Sequence, residues 1–102
     1  MKRPVTRERE IARDAVTRCS SVLRINSNDA DAWHVLGAAL ARLGDRAGAF
    51  TALRNALLLD ETRPQTYLEL GNLLFDTGRL DDALRCFERA AERDPAFSPV
   101  EP

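Results

Sequence analysis

The sequence has little of what chemistry needs. Its 102 residues include a single histidine, His34, and only two cysteines, Cys19 and Cys86. Metal and redox motifs place their ligands at short fixed spacings, and cysteines this far apart supply none. Both fall among the apolar residues of helical patterns, where free cysteine packs as a small hydrophobe. No serine or cysteine nucleophile is placed to use His34, which is expected as a solvated side chain on an exposed helix face. The glycines at 37, 44 and 48 are not followed by Gly-Lys-Ser/Thr, so no phosphate loop is present. The carboxylate pairs Asp81–Asp82 and Glu92–Asp94 are accounted for by helix-start charge and solvated surface. These absences point away from an enzyme, and no catalytic residue, cofactor or metal is expected.

An excess of one charge is missing as well. Fifteen basic residues face sixteen acidic ones, which gives no electrostatic reason to expect nucleic acid or an anionic membrane as partner. Apolar runs such as Ala56 to Leu59 stop far short of a membrane span. Lys2 and Arg3 are followed by Pro4 to Glu10, with no apolar stretch to make a signal peptide, so a cytoplasmic location is the default expectation.

What the chain does contain is a repeat. Displaced by 34 residues, Trp33 falls on Tyr67, Leu36 on Leu70, Gly37 on Gly71 and Leu40 on Leu74. Gly44 then meets Gly78, Ala49 meets Ala83, Leu53 meets Phe87, Ala56 meets Ala90 and Asp60 meets Asp94. Agreement confined mainly to apolar and small positions is what a shared packing scheme produces. Each period reads as two helices. Trp33, Leu36, Leu40 and Leu43 make one helical face over 30–43, capped at Asn28 or Asp29 and ended by Gly44. Asp45 can cap a second helix reaching about Leu59. Residues 64 to 93 repeat the plan, with Pro64 in the first turn and Gly78 between the helices. Gly37 and Gly71 are expected to let a neighbouring helix approach closely.

Residues 30–97 resemble two complete tetratricopeptide repeats: an aromatic, Leu-Gly, Leu, then Ala, a large apolar residue, Ala and, in the second copy, Pro95. Glu61 stands where the motif would place a proline, and Arg46 replaces the usual aromatic after the first inter-helix turn. The frame extends backwards, since Ala15, Cys19, Val22 and Asn26 precede Ala49, Leu53, Ala56 and Asp60 by one period. Residues 6–25 therefore look like the second helix of a further repeat, with Thr6 as its candidate cap. The expected fold is all-α, a solenoid of about five helices in antiparallel pairs. It divides into an extension over 1–5, a single domain over 6–97 (partial repeat 6–25, repeats 30–63 and 64–97) and a tail over 98–102.

The resemblance implies a protein–protein interaction module whose first helices line a concave groove for a peptide or a partner helix. The candidate groove residues are His34, Ala38 and Arg42 from the first repeat and Leu68, Glu69, Asn72, Phe75 and Asp76 from the second. Asp31, Val35, Ala41 and Gln65 also lie on this side. Leu68 and Phe75 sit two turns apart and are expected to form an apolar binding pair with no role in the core. Trp33 and Tyr67 are expected inside their helix pairs. A chaperone-binding subgroup clamps a terminal carboxylate with cationic residues on this face. Here the matching places hold His34, Ala38, Glu69 and Gln65, so that partner is not expected. Two other readings remain: self-association, with the solenoid ends stacking on copies of themselves, and a chaperone or regulatory subunit of a larger complex; the chain itself is expected as a monomer or weak homodimer. Phe97 is expected to fold back over Leu84 and Ala91.

Overall fold

The computed structural model describes residues 4–97. They form α1 (Pro4–Ile25), α2 (Ala30–Arg42), α3 (Arg46–Leu59), α4 (Pro64–Asp76), α5 (Leu80–Arg93) and a short 3-10 turn, Pro95–Phe97. No strand occurs among the described residues.

Local chemistry sets the helix boundaries. The Asp29 carboxylate accepts from the Ala32 N–H at 3.0 Å and starts α2; Asp45 accepts from the Gly48 N–H at 2.9 Å and starts α3. Pro64 occupies the first turn of α4, where its missing N–H leaves nothing unpaired. Gly44 and Gly78 follow α2 and α4 at φ +88° and +85°, a conformation costly for any residue with a Cβ. Beyond them the N–H groups of Asp45 and Arg79 reach back to the carbonyls of Leu40 and Leu74, each at 2.9 Å. Thr6 falls inside α1, which starts two residues earlier, so it does not cap that helix.

The period also sets the turns between repeats. Asn26, Asp60 and Asp94 each accept from the backbone N–H two residues on, at 3.0 to 3.1 Å. Such an Asx turn reverses the chain without help from a proline. At Asp60 the Thr62 hydroxyl adds a second bond at 2.5 Å, and these bonds hold the Asp60 carboxyl below its usual value. A further carbonyl near each turn has two different solutions. The Trp33 indole N–H donates to the Ser27 carbonyl at 2.8 Å. Tyr67 has no such donor, and the equivalent Glu61 carbonyl instead accepts from Arg93 Nε, also at 2.8 Å. The Arg93 guanidinium then lies 5.0 Å above the Tyr67 ring. Tyr67 is buried, whereas Trp33 is only half-buried.

Within each pair the helices close over a glycine. Gly37 faces Leu53, and Gly71 faces Phe87 and Cys86. The core runs between repeats: Ala49 and Leu53 of α3, Leu70, Leu73 and Leu74 of α4, and Ala83 of α5, with Ala41, Phe50, Leu57 and Phe87 packed against them. Because α2 and α4 also touch directly, the first helices lie side by side and form one face of the array.

α1 keeps the register of a second helix, and no first helix packs on it among the described residues. Ala49 and Ala56 are buried in α3, while their counterparts are half-buried (Ala15) and 41% exposed (Val22). With no first helix packed on α1 among the described residues, Val22 stays open. Where α3 buries Ala52 behind Gly48, α1 has Arg18 and Asp14, joined in an exposed ion pair at 2.8 Å.

Candidate binding groove

The outward sides of α2 and α4 form two clefts in the same place of successive repeats. One is lined by Glu69, Asn72, Leu73 and Asp76 of α4, with Ala41, Arg42, Gly44 and Arg46 opposite, and holds about 310 Å³. Val35, Ala38, Ala39 and Arg42, each one period earlier, line the other with Glu8, Ile11, Ala12 and Ala15 of α1, around about 240 Å³. One repeat thus presents charge and amide where the other presents Val and Ala.

In the charged cleft, Asn72 is exposed, with Glu69 and Asp76 about one turn to either side. Arg42 and Arg46 form part of the opposite wall. None of these four charged groups has an ion-pair partner among the described residues; the Arg42 guanidinium only donates to the Ala38 carbonyl of its own helix, at 3.1 Å. Side chains of both signs are therefore free to meet a ligand.

Of the groove residues expected from sequence, Arg42, Glu69, Asn72 and Asp76 come together here, and Ala38 lines the neighbouring apolar cleft. His34 is not a solvated side chain. It is half-buried, its Nδ1 lies 3.0 Å from the Thr66 hydroxyl across the α2–α4 seam, and Thr66 is fully buried. Desolvation lowers its pKa, partly opposed by the nearby Glu69 charge.

Leu68 and Phe75 line neither cleft. Their counterparts one period earlier are His34, on the seam, and Ala41, packed on the core that α4 completes. The pair thus has a packing reason to be apolar: it belongs to the side of α4 that would meet a following repeat. Comparison with the previous copy carries that signal, and the spacing within α4 alone does not. Sequence reasoning also missed Arg46 as a cleft residue and the apolar cleft on α1.

Cys19 is buried and Cys86 half-buried; burial pushes both thiols up, away from the reactive thiolate. No group of His, Cys, Asp and Glu that could hold a metal ion occurs among the described residues. None of the described helices is long and apolar enough to cross a membrane.

Two family models, both described as tetratricopeptide repeat, match residues 30–63 and 64–97. The chain belongs to the tetratricopeptide-repeat family, a fold of protein–protein interaction that is generally non-enzymatic, with about two and a half repeats in an all-α solenoid. No curated protein matches it. Among solved structures, a crystal structure of MamA is similar at 24% identity and TM-score 0.80, over 84% of this chain and 50% of that one. The structure titled MamA MSR-1 C2 matches at 23% and 0.77, over 92% and 53%. A Thermobaculum terrenum O-GlcNAc transferase mutant matches at 23% and 0.73, over 93% of this chain and 21% of its own. The chain spans about half of the MamA chains and about a fifth of the transferase.

Proposed function

We propose that this chain binds an extended peptide, or one face of a partner helix, in the cleft between α2 and α4. The observation that carries this is the set of uncommitted groups there: Asn72 between Glu69 and Asp76, with Arg42 and Arg46 on the opposite wall. The Asn72 amide suits a bound backbone, since it offers both a donor and an acceptor. Charges of both signs suit a segment with one basic and one acidic side chain, and give specificity more than raw affinity. The module reads its partner through α2, α4 and the start of α3, while the rest of α3 and α5 hold those helices in place.

Peptide-display selection on the immobilised chain tests this, with an Asn72→Ala/Asp76→Ala variant as parallel target. Both residues are exposed, so the variant should fold as the parent does. Enrichment of mixed-charge peptides that is lost on the variant supports the groove. Equal enrichment on both targets overturns it.

A further inference from the structure

The two repeats differ at one place, where the end of each second helix meets the aromatic of its own first helix. In the second repeat Arg93, at the end of α5, holds its guanidinium 5.0 Å above the Tyr67 ring and donates through Nε to the Glu61 carbonyl. One period earlier the same three places hold Leu59, Trp33 and Ser27. Leucine brings no cation, and none lies over the Trp33 ring among the described residues. Instead Ser27, Trp33 and Leu59 line a cleft of about 270 Å³ together with Asn55 and Leu58 of α3. Its apolar wall is open to water: Leu58 is 77% and Leu59 41% exposed, and Trp33 is half-buried. Since α1 packs on α2 and α4 packs on α3, the cleft belongs to a repeat with a neighbour on either side.

We propose that this cleft receives an arginine side chain of a partner protein, with the guanidinium over the Trp33 indole and the stem along Leu58 and Leu59. Arg93 on Tyr67 is the same arrangement made from within the chain. Indole is the best of the aromatic rings for holding a cation, and an arginine stem covers apolar surface while its head stays in water. The Asn55 side-chain oxygen adds an acceptor for the guanidinium. The flanking charge is complementary. Asp29 caps α2 one turn before Trp33, and Asp60 caps α3 directly after Leu59, its carboxyl held below the usual value by its bonds to Thr62. Arg24 and Arg54, near the lining residues in sequence, do not line the cleft, and Arg63 is paired with Asp31. No residue is shared with either cleft of the groove, so this is a separate site.

Trp33 is the only tryptophan of the chain, so its indole N–H resonance reports on this cleft alone. The test titrates the full chain with the peptide acetyl-Leu-Arg-Leu-amide up to about 10 mM, the range suited to a single side-chain contact. The same peptide with citrulline, which keeps the shape of arginine and loses the charge, is the control. The arginine peptide should move the indole resonance saturably, and the citrulline peptide should bind about 3- to 30-fold more weakly. Leu59→Arg fills the cleft from within, as Arg93 does in the second repeat, and should abolish the response; circular dichroism checks that this variant keeps its helices. Asn72→Ala/Asp76→Ala, which alters only the groove, should respond as the parent does. The proposal is overturned if the arginine peptide leaves the resonance unmoved, if the citrulline peptide binds equally well, or if Leu59→Arg responds undiminished. A response lost on the groove variant overturns it as well.

Discussion

Alanine at Gly37 and alanine at Gly71 should differ, although the two glycines occupy the same place in successive repeats. On helix propensity alone each substitution gains about 1 kcal/mol. Against that stands the space available. A Cβ on Gly37 would lie 2.6 Å from Leu53 Cγ, 2.8 Å from Cδ2 and 3.2 Å from the Leu53 backbone nitrogen. Carbon atoms prefer about 3.5–4 Å, and Leu53 is 0% exposed at the centre of the inter-repeat core, so it has nowhere to go. Overpacking of this kind costs about 1–3 kcal/mol, which leaves Gly37→Ala destabilised by about 1 kcal/mol on balance. At Gly71 the close atoms are Phe87 Cε1 and Cδ1, at 2.6 and 2.8 Å, and Cys86 Cβ at 3.2 Å. Phe87 is half-buried and can give way more readily than the buried Leu53, so Gly71→Ala should cost less than Gly37→Ala. Thermal unfolding by circular dichroism reads the difference, since about 1 kcal/mol moves the Tm of a domain this small by about 4–8 °C. A Gly37→Ala variant melting at or above the parent, or a Gly71→Ala variant melting below Gly37→Ala, would refute the packing argument.

Arg93→Ala should cost about 1–2 kcal/mol, through the lost bond to the Glu61 carbonyl and the lost contact over Tyr67; chemical denaturation checks it, and Trp33→Phe should cost about 1 kcal/mol through the equivalent bond to Ser27. His34 is held neutral in the fold, with a pKa below its ordinary 6.5. Its contribution is therefore fully present above that value and lost as pH falls toward the lower folded pKa. Denaturation midpoints measured from pH 7.5 to pH 5 should fall, and His34→Gln should flatten that fall; an unchanged slope would remove His34 from the seam. Deleting residues 1–25 strips α1 from the buried Ala32 and Ala39 of α2 and should leave a fragment that melts far lower and less cooperatively, as two repeats without a neighbour are marginal. A 26–102 fragment as stable as the parent would make α1 an appendage.

Most of the fold was legible because a packing scheme repeated at a fixed interval writes itself into the sequence twice. The helix pairs, the turn glycines and the close approach at Gly37 and Gly71 all follow from residues that must be apolar, small or left-handed at set places. The site was less legible for the same reason. Groove positions are defined by what they leave free, and the period does not constrain them. Asn72, Glu69 and Asp76 could be placed on the right face of α4, but Arg46 enters their cleft from the start of α3, which no single-helix pattern shows. His34 looked solvated because its burial depends on Thr66, a residue 32 positions away whose own burial rests on the seam. The expected fold-back of Phe97 lies outside the residues whose side chains are described, so only its proposed partners, Leu84 and Ala91, can be placed.

The first and last described helices show what a repeat position does where no neighbour covers it among the described residues. An interior position answers to packing alone, while an uncovered one must also meet water. On α1 the face that should meet a first helix has become polar in part, with the Arg18–Asp14 pair where α3 carries Ala52 and Gly48. That exchange removes the cost of exposure there. The far end changes along two lines, the first at places that are already open in α3, where Leu58 is 77% exposed. Ala91, Glu92 and Arg93 replace Leu57, Leu58 and Leu59 at the end of the helix. Leu68, Phe75 and Leu84 run the other way, being larger or more apolar than His34, Ala41 and about as apolar as Phe50, the residues that a following helix covers in the first repeat. Exposure to water alone would favour polar residues at these three places. Their apolar character is what a covered surface requires.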